Sequence, residues 1–340
     1  ADSGGAATVL QSFYEEFKKD TENEYIFVLS VYKLPETDNI KVLNFPEVKK
    51  SMLHRLYFDH FVAHKLVKKY KVDRVLSLQN IELPHTNVPQ TVYEHNALPF
   101  SEYKFKPWEA FRPWYSQQIL GRMMKKSIRS AEKVLVQTNW MKEEIVRQCK
   151  IPAERVQVKF PPVEMLKTDP WHMEEGHTVF FFPAGPPAYK NHRTFLKACE
   201  LLKKRGCTDW EAVWTLNGDE NDGIRALKKE AEEKALQIRF AGMMSREDLF
   251  AQYARSVLVF PSYIETIGLP LLEARSVGAP ILAADCLYAR DGVGDYEKAE
   301  FFTPPYETVS SLKARLDGMY TDVDMGNLKS MAWFVCRKAG

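Results

Sequence analysis

The stretch that decides the fold lies in the second half of the chain, where residues 261–280 read PSYIETIGLPLLEARSVGAP. It follows the apolar run Val257–Phe260, which predicts a buried strand, and it enters a helix near Gly268. A loop between a parallel strand and a helix N-terminus collects unpaired backbone N–H groups at the carboxyl edge of the sheet. The stretch therefore predicts a site for nucleotide phosphates or sugar hydroxyls.

Two glutamates mark this stretch. Glu265 lies just before the helix and Glu273 about a turn and a half inside it, so we expect both carboxylates to reach one crevice. A carboxylate accepts hydrogen bonds from paired hydroxyls, which suits the recognition of ribose and hexose rings. Either glutamate alone would be interpreted as a charge on a solvated helix surface. The pattern around them favours binding.

Outward from this stretch, strand-length apolar runs alternate with helical stretches. The run Val179–Phe182 is continuously apolar, which is typical of a parallel strand covered by helices on both faces. Strands are predicted at 178–184, 210–217, 238–241, 257–261, 280–284 and 301–303. Helices are predicted near 193–204, 222–234, 245–255, 269–277 and 308–320.

The first half of the chain shows the same alternation. Strands are predicted at 25–31, 40–44, 74–79, 91–95, 133–137 and 155–160. Helices are predicted at 6–19, 50–70, 107–130 and 139–149. Two such series predict an α/β fold with two doubly wound, Rossmann-like domains that face each other across a cleft.

The polar connector 165–176 separates the two series, so we predict domains at 1–164 and 165–340. The first series lacks an opening strand, which we expect either to precede Ala1 or to be absent. The second domain either ends at Gly340 or continues beyond it.

The spacing PSxxETxGLPxxEAxxxGxP in residues 261–280 closely resembles the Glu-x7-Glu signature of glycosyltransferase family 4, also called group 1. Residues 216–219, 238–249 and 134–140 resemble further segments of that family in the same order. The resemblance implies the GT-B fold, with an amino-terminal acceptor domain and a carboxyl-terminal donor domain. It also implies that a hexosyl group passes from a nucleotide-diphosphate sugar to an acceptor hydroxyl with retention, without a metal and without a further cofactor.

The resemblance also implies roles for residues of the signature. Glu273 would hold the ribose hydroxyls of the nucleotide, and Glu265 would lie near the transferred sugar as a catalytic residue. Thr266, Gly268 and Leu269 would bind the donor, the last two through backbone N–H groups that meet the sugar or the diphosphate.

Residues 182–191, FPAGPPAYKN, occupy the place of the diphosphate-binding loop of the family. Lys190 matches the catalytic lysine of that loop, and a fixed cation there stabilises charge on the leaving diphosphate. Gly185 and Asn191 are the other donor-binding candidates in the loop. Without this context Lys190 would be interpreted as a surface lysine at the start of a helix.

One position departs from the family pattern, because Pro186 or a neighbour stands where the loop usually carries an arginine. Arg193 and Arg275 are the alternatives that could replace it. The departure favours a second hypothesis, a catalytically silent GT-B protein that binds a glycan or a protein partner. Other hypotheses are an epimerase or a phosphorylase, and a nicotinamide-dependent oxidoreductase, although no GxGxxG follows an early strand.

The first half contributes fewer candidates. Gly4 and Gly5 precede a helix and resemble the glycine loop that follows the first strand in the family, so they are assigned to donor binding. His95 ends a predicted strand, where family members often carry a histidine that contacts the donor sugar, and it is our third catalytic candidate. The spacing of His60 and His64 fits one helix face, but no third ligand accompanies them, so we predict no metal site.

Charge and composition bear on the partners. The net charge of +2 conceals a basic half, residues 1–160, and an acidic half, residues 161–340. The basic half is compatible with peripheral contact with an anionic membrane and equally with a solvated helix surface. The aromatic segment Phe105–Tyr115 is compatible with an acceptor-side or membrane-contacting face, but we prefer to interpret it as a packed loop that covers the first domain. The acceptor implied by the resemblance is a glycan or a lipid-linked glycan in bacterial surface polysaccharide assembly, and we expect no nucleic-acid partner.

Five scattered cysteines indicate reduced thiols, which favours the cytoplasm.

Overall fold

A computed structural model describes residues 5–108, 110–161, 165–172 and 177–303. The chain divides into two compact units. The first comprises Ala1–Phe100 and Phe105–Glu164, and the second comprises Ser101–Lys104 and Met165–Gly340.

The first unit alternates helices with short strands. Its elements are α1 (Gly5–Phe17), β1 (Tyr25–Leu29), β2 (Ile40–Asn44), α2 (Met52–Tyr57), α3 (Ala63–Lys69), β3 (Val75–Ser77), β4 (Gln90–Glu94), α4 (Phe111–Tyr115), α5 (Gly121–Ser130), β5 (Lys133–Val136), α6 (Asn139–Cys149) and β6 (Val156–Val158). Each of the two long helices predicted here consists of two α-helical pieces joined by a π-helical turn, Phe58–Val62 or Ser116–Leu120. A π-helical turn accommodates one extra residue, which shifts the following helix face relative to the preceding one.

The strands of the first unit are parallel and form two sheets, β1–β2 and β3–β4–β5–β6. Helix α1 packs on both of them. Val9 and Phe13 bury themselves against Tyr93 of β4, and Phe17 stacks on Tyr25 of β1 with ring centroids 4.2 Å apart. The apolar face of α1 is therefore the core contact common to the two sheets.

The second unit is a doubly wound α/β fold built on one sheet. Its elements are β7 (Thr178–Phe182), α7 (His192–Lys204), β8 (Trp210–Trp214), α8 (Asp222–Glu233), β9 (Ile238–Phe240), α9 (Arg246–Tyr253), β10 (Val257–Phe260), α10 (Leu269–Ser276), β11 (Ile281–Ala284), α11 (Leu287–Val293) and β12 (Ala299–Phe302). Helix α11 was not predicted from the sequence. The helix predicted at 308–320 lies outside the described residues.

The six strands of the second unit are parallel and lie in the order β12-β11-β10-β7-β8-β9. From β7 the chain builds outward through β8 to β9, and it then crosses to the other side of β7 to form β10. The strand order therefore reverses between β7 and β10. In open α/β sheets this switch point, at the carboxyl ends of the strands, is where ligands bind.

The sheet of the second unit is covered on both faces, as the continuous apolar runs predict. Phe181, Phe182, Trp214 and Phe260 are fully buried. Each such side chain contributes roughly 1.5–3 kcal/mol relative to an exposed one, so these aromatic contacts hold the switch-point strands rigidly. No helix in the part of the chain that the structure describes has the length and apolar composition needed to cross a bilayer.

Candidate functional site

Two loops meet at the switch point of the second unit. Residues 183–191 follow β7, and residues 261–268 follow its neighbour β10. The backbone N–H of Tyr263 in the second loop donates to the carbonyl oxygen of Tyr189 in the first, at 3.0 Å. The hydrogen bond fixes the two loops to each other at the carboxyl edge of the sheet.

Lys190 and Glu265 form an ion pair across these loops. The Ser262 hydroxyl donates to the same carboxylate oxygen of Glu265 at 2.7 Å, and Lys190 Nζ lies 5.9 Å from the ring centroid of Phe260. The Lys190 and Glu265 side chains are only 18% and 16% exposed. The structure thus brings two of the predicted catalytic residues together and holds the ammonium in one position, where little water screens it.

Asn191 connects the loops and starts α7. Its backbone adopts the left-handed conformation with φ 61°, which asparagine tolerates better than most residues. Its amide nitrogen donates to the carbonyl of Pro261 at 3.2 Å, and its amide oxygen accepts from the hydroxyl of Thr194 at 2.8 Å. These contacts give Asn191 a structural role, and its donor-binding role stays a prediction. Gly185 is exposed in the same loop.

Gly268 sets the entry into α10. Its φ of +73° favours glycine, and a Cβ there would lie 3.1 Å from Leu271 and from the ring of Tyr288. Helix α10 begins at the next residue, Leu269, and Thr266 lies in the preceding loop. Pro270 has no N–H and the N–H of Leu271 donates to the carbonyl of Gly268 at 2.9 Å, so the N–H groups of Gly268 and Leu269 are the donors that the positive end of α10 offers next to the 261–268 loop.

Glu273 has a different set of partners. It is buried inside α10, where its carboxylate pairs with the Arg246 guanidinium and accepts a hydrogen bond of 2.8 Å from the Tyr253 hydroxyl. Burial, together with the Glu273 charge, raises the pKa of Tyr253 well above its ordinary value, so the phenol stays protonated and donates. The two signature glutamates therefore belong to separate networks, one between loops and one between helices α9 and α10.

Arg246 and Tyr253 were not singled out from the sequence. They lie seven residues apart on α9, which is two turns, and so share one face of that helix. That spacing was the available signal.

Both alternatives for the missing loop arginine are engaged elsewhere. Arg193 pairs with Glu230 of α8. Arg275 donates to the carbonyl of Val293 at 3.2 Å and lies 3.8 Å from the carboxylate of Asp295. The replacement of the loop arginine by either residue therefore stays a prediction.

His192 lies two residues after Lys190 and was not among the candidates singled out from the sequence. Its ring packs on Phe182 and Trp214, with centroids 4.8 and 5.2 Å away, and it hydrogen-bonds to the backbone of Ala184. Burial, reinforced by the charge of Lys190, lowers the pKa of His192 to about 4. The imidazole is therefore neutral at physiological pH.

This shift predicts a pH-dependent stability. As pH falls from about 6.5 to about 4, unfolded His192 takes up a proton that the folded protein excludes, so the free energy of unfolding falls, by at most about 3 kcal/mol. Urea unfolding between pH 4 and 7 measures this contribution as the difference in the free energy of unfolding between the wild type and His192→Gln. The exposed His172→Gln variant is the control and should follow the wild type. A wild-type minus His192→Gln difference that does not change with pH would contradict the assignment.

The remaining candidates lie in the first unit. His95 directly follows β4, its backbone N–H donates to the side-chain oxygen of Asn80 at 2.8 Å, and burial lowers the pKa of its imidazole. The neighbouring Glu94 is fully buried, and burial raises the pKa of its carboxyl well above the usual range. Gly5 is the first residue of α1, whereas Gly4 lies outside the described residues. The donor contacts predicted for His95 and Gly5 stay predictions.

The helix histidines have close neighbours. His60 Nδ1 lies 2.9 Å from His85 Nε2, and His54 Nδ1 lies 2.8 Å from the hydroxyl of Ser51. Within the described ranges, no three His, Cys, Asp or Glu side chains converge in a way that could hold a metal ion.

Comparisons with known proteins agree with this architecture. The model of the family described as Glycosyltransferase Family 4 matches residues 3–165, and the model described as Glycosyl transferases group 1 matches residues 169–327. The O-antigen chain mannosyltransferase B of Escherichia coli is 25% identical over 243 residues, which cover 67% of this chain and 61% of that protein. The matched region thus spans less than two thirds of that relative.

Solved structures share the fold. The lipopolysaccharide outer core galactosyltransferase WaaB in its apo form superposes with a TM-score of 0.64 at 17% identity, over 99% of this chain and 89% of WaaB. WaaG, a glycosyltransferase involved in lipopolysaccharide biosynthesis, gives 0.60 at 14% identity, over 97% and 90%. At sequence identities this low, the structural similarity is evidence for a shared fold alone. With the two family models and the Glu-x7-Glu signature, it identifies the chain as a member of glycosyltransferase family 4 (group 1) with the GT-B fold.

Proposed function

We propose that this protein is a retaining hexosyltransferase that moves a sugar from a nucleotide-diphosphate sugar to an acceptor hydroxyl. The observation that carries the proposal is the Lys190–Glu265 pair, held at the switch point beside the amino terminus of α10. The fixed ammonium of Lys190 and the positive amino terminus of α10 both lie at the loops that follow β7 and β10, and together they form a site for a diphosphate.

The chemistry follows from these donors. When the bond between the anomeric carbon and the diphosphate oxygen breaks, negative charge grows on the leaving phosphate. The Lys190 ammonium and the N–H groups of Gly268 and Leu269 stabilise that charge. Donor binding exchanges Glu265 for phosphate at Lys190, which leaves the Glu265 carboxylate to accept hydrogen bonds from the sugar. The acceptor hydroxyl attacks from the face of the departing phosphate, which takes its proton, so no side-chain base and no metal are invoked.

The nucleoside half of the donor is assigned to Glu273. A carboxylate offers about four acceptor positions. Arg246 and Tyr253 occupy two of them and orient the group, which leaves positions for the paired hydroxyls of a ribose. In this proposal the helix network binds the nucleoside and the loop network performs the transfer.

The names of the similar proteins support a setting. WaaB is named as a galactosyltransferase of the lipopolysaccharide outer core, WaaG as a glycosyltransferase involved in lipopolysaccharide biosynthesis, and the Escherichia coli relative as an O-antigen chain mannosyltransferase. We therefore assign the acceptor to a glycan or lipid-linked glycan of bacterial surface polysaccharide assembly. We assign the protein to the cytoplasm, the compartment that keeps thiols such as those of the buried Cys149 and Cys199 reduced.

Thermal unfolding in the presence of UDP-, GDP- and ADP-sugars tests the proposal. A donor at 100 times its Kd adds about 2.7 kcal/mol of stability, which raises Tm by several degrees. We expect one base to do so in the wild type and in Arg193→Ala, whose guanidinium pairs with Glu230 instead. Lys190→Ala should lose most of the shift. Equal shifts in Lys190→Ala and the wild type would contradict the diphosphate assignment.

A second candidate function follows from the missing arginine. Pro186 stands in the loop, and both Arg193 and Arg275 are engaged elsewhere, which favours a catalytically silent GT-B subunit that binds a glycan or a protein partner. That protein would be stabilised by a glycan and by none of the nucleotide-sugars. The same unfolding experiment therefore separates the two functions.

A further inference from the structure

Five large apolar side chains stand exposed on one short stretch of the first unit. Met52, Leu53, Leu56, Tyr57 and Phe61 are between 44% and 76% exposed, and we call them the apolar ridge. Single exposed apolar residues are ordinary on protein surfaces, but five within ten residues form a patch that marks an interaction site.

The ridge results from how the chain is anchored. Helix α2 and the following π-helical turn contain no buried residue, whereas α3 buries Ala63 and Val67. The stretch is nevertheless attached to the rest of the unit, because Arg55 donates to Gln79 and the ring of Phe58 packs on Phe45 with centroids 4.8 Å apart. The ridge is therefore a fixed outer surface of the unit.

Positive charge flanks the ridge on both sides in sequence. Exposed lysines precede and follow it: Lys49, Lys50, Lys65, Lys68, Lys69 and Lys71. Residues 47–71 contain only two acidic residues, Glu47 and Asp59. The Asp59 carboxylate is already paired with Arg55, so the surface carries a net positive charge.

We infer that the apolar ridge docks this protein on an anionic lipid bilayer. Tyr, Phe, Leu and Met side chains enter the boundary between headgroups and acyl chains, and the lysines bind the anionic headgroups. Each lysine close to such a surface adds a favourable term that decays within a Debye length. We choose a bilayer as the occupant because of this charge, since an apolar groove of a protein partner would match the ridge without the lysines that flank it in sequence.

A second exposed segment of the same unit has the same chemistry. Trp108 and Phe111 are exposed beside Lys106 and Arg112, and Lys106 Nζ lies 5.6 Å from the Trp108 ring centroid. Of the described residues in the segment Phe105–Tyr115, only Phe105 is buried. The interpretation of this segment as a packed loop is therefore wrong for Trp108 and Phe111, which offer a further interfacial contact.

Vesicle co-sedimentation of the full chain tests the inference. With phosphatidylcholine vesicles that contain 30% phosphatidylglycerol, we expect binding at least tenfold tighter than to phosphatidylcholine alone, and weaker in high salt. Leu53→Asp/Phe61→Asp should lower binding at least tenfold, and Lys65→Gln/Lys69→Gln should lower the preference for anionic vesicles. The matched control is Met243→Asp in the second unit, where the side chain is 94% exposed, and it should bind as the wild type does.

The inference would be overturned if the wild type did not bind vesicles, or if Leu53→Asp/Phe61→Asp bound them as tightly as the wild type does. It would also be overturned if light scattering showed a dimeric wild type and a monomeric Leu53→Asp/Phe61→Asp variant, with no vesicle binding by either. The last would make the ridge a contact between two copies of the chain. Unchanged Tm values establish that the variants fold, and the lysine variant tests the inference even if the aspartates unfold the unit. The Tm shift caused by the nucleotide-sugar should be the same in the wild type and in all these variants. Failure of the membrane-docking inference is therefore distinguishable from failure of the proposed sugar transfer.

Discussion

Lys190→Ala is expected to lower kcat for sugar transfer by about 10²–10³-fold, the usual effect of removing one preorganised donor from developing negative charge. The effect should be large because the ammonium is already fixed by Glu265 and shielded from water before the donor binds. The loop itself should survive, since the contact between Tyr263 and Tyr189 is made by backbone atoms. Release of nucleoside diphosphate under saturating donor measures the change.

Two further variants make this result specific. Lys190→Arg keeps the charge but changes its geometry, and it should recover part of the rate. Arg193→Ala removes a nearby cation that pairs with Glu230, and it should keep the wild-type kcat. A Lys190→Ala enzyme with wild-type kcat would show that the leaving group is stabilised elsewhere.

Glu273→Gln is expected to raise the donor KM by about 10–100-fold, with a smaller effect on kcat, because the ribose loses a charged acceptor worth about 1.5–3 kcal/mol. It should also lower the free energy of unfolding by about 1–3 kcal/mol, since the buried Tyr253 hydroxyl and the Arg246 guanidinium lose the carboxylate between them. Steady-state kinetics and urea unfolding measure the two effects.

The partner variant Tyr253→Phe separates positioning from packing. It removes one hydrogen bond to Glu273 and keeps the ring, so its KM should lie between those of the wild type and Glu273→Gln. Glu247→Gln, on the exposed face of α9, is the control and should change neither quantity. If Glu273→Gln lost stability but kept the wild-type KM, Glu273 would serve only to join α9 to α10.

The alternation of strands and helices was predictable because each buried strand is a local apolar run such as Val179–Phe182. Side-chain partners were less predictable. The Lys190–Glu265 pair depends on β10 lying next to β7, and that strand order is a property of the whole sheet. Helix α11 was missed because it is only seven residues long and contains Gly292, so its local signal is weak.

Burial limits prediction in the same way. The neutral state of His192 depends on Phe182 and Trp214, which come from two different strands and enclose the ring. The partner of the Glu273 carboxylate is Arg246 of α9, a contact that depends on how two helices pack, whereas the crevice that Glu265 and Glu273 were expected to share stays a prediction. A signature therefore predicts which residues matter more readily than which contacts they make.

The configuration of the product tests the central claim most directly. The donor that stabilises the protein most is incubated with the wild type and a lipid-linked glycan acceptor, and the anomeric proton is followed by NMR. We predict that the donor signal decays with release of nucleoside diphosphate while a new glycoside appears with the same anomeric configuration. An inverted product, or a donor that binds and is never consumed with any acceptor, would contradict retaining transfer at the Lys190 site.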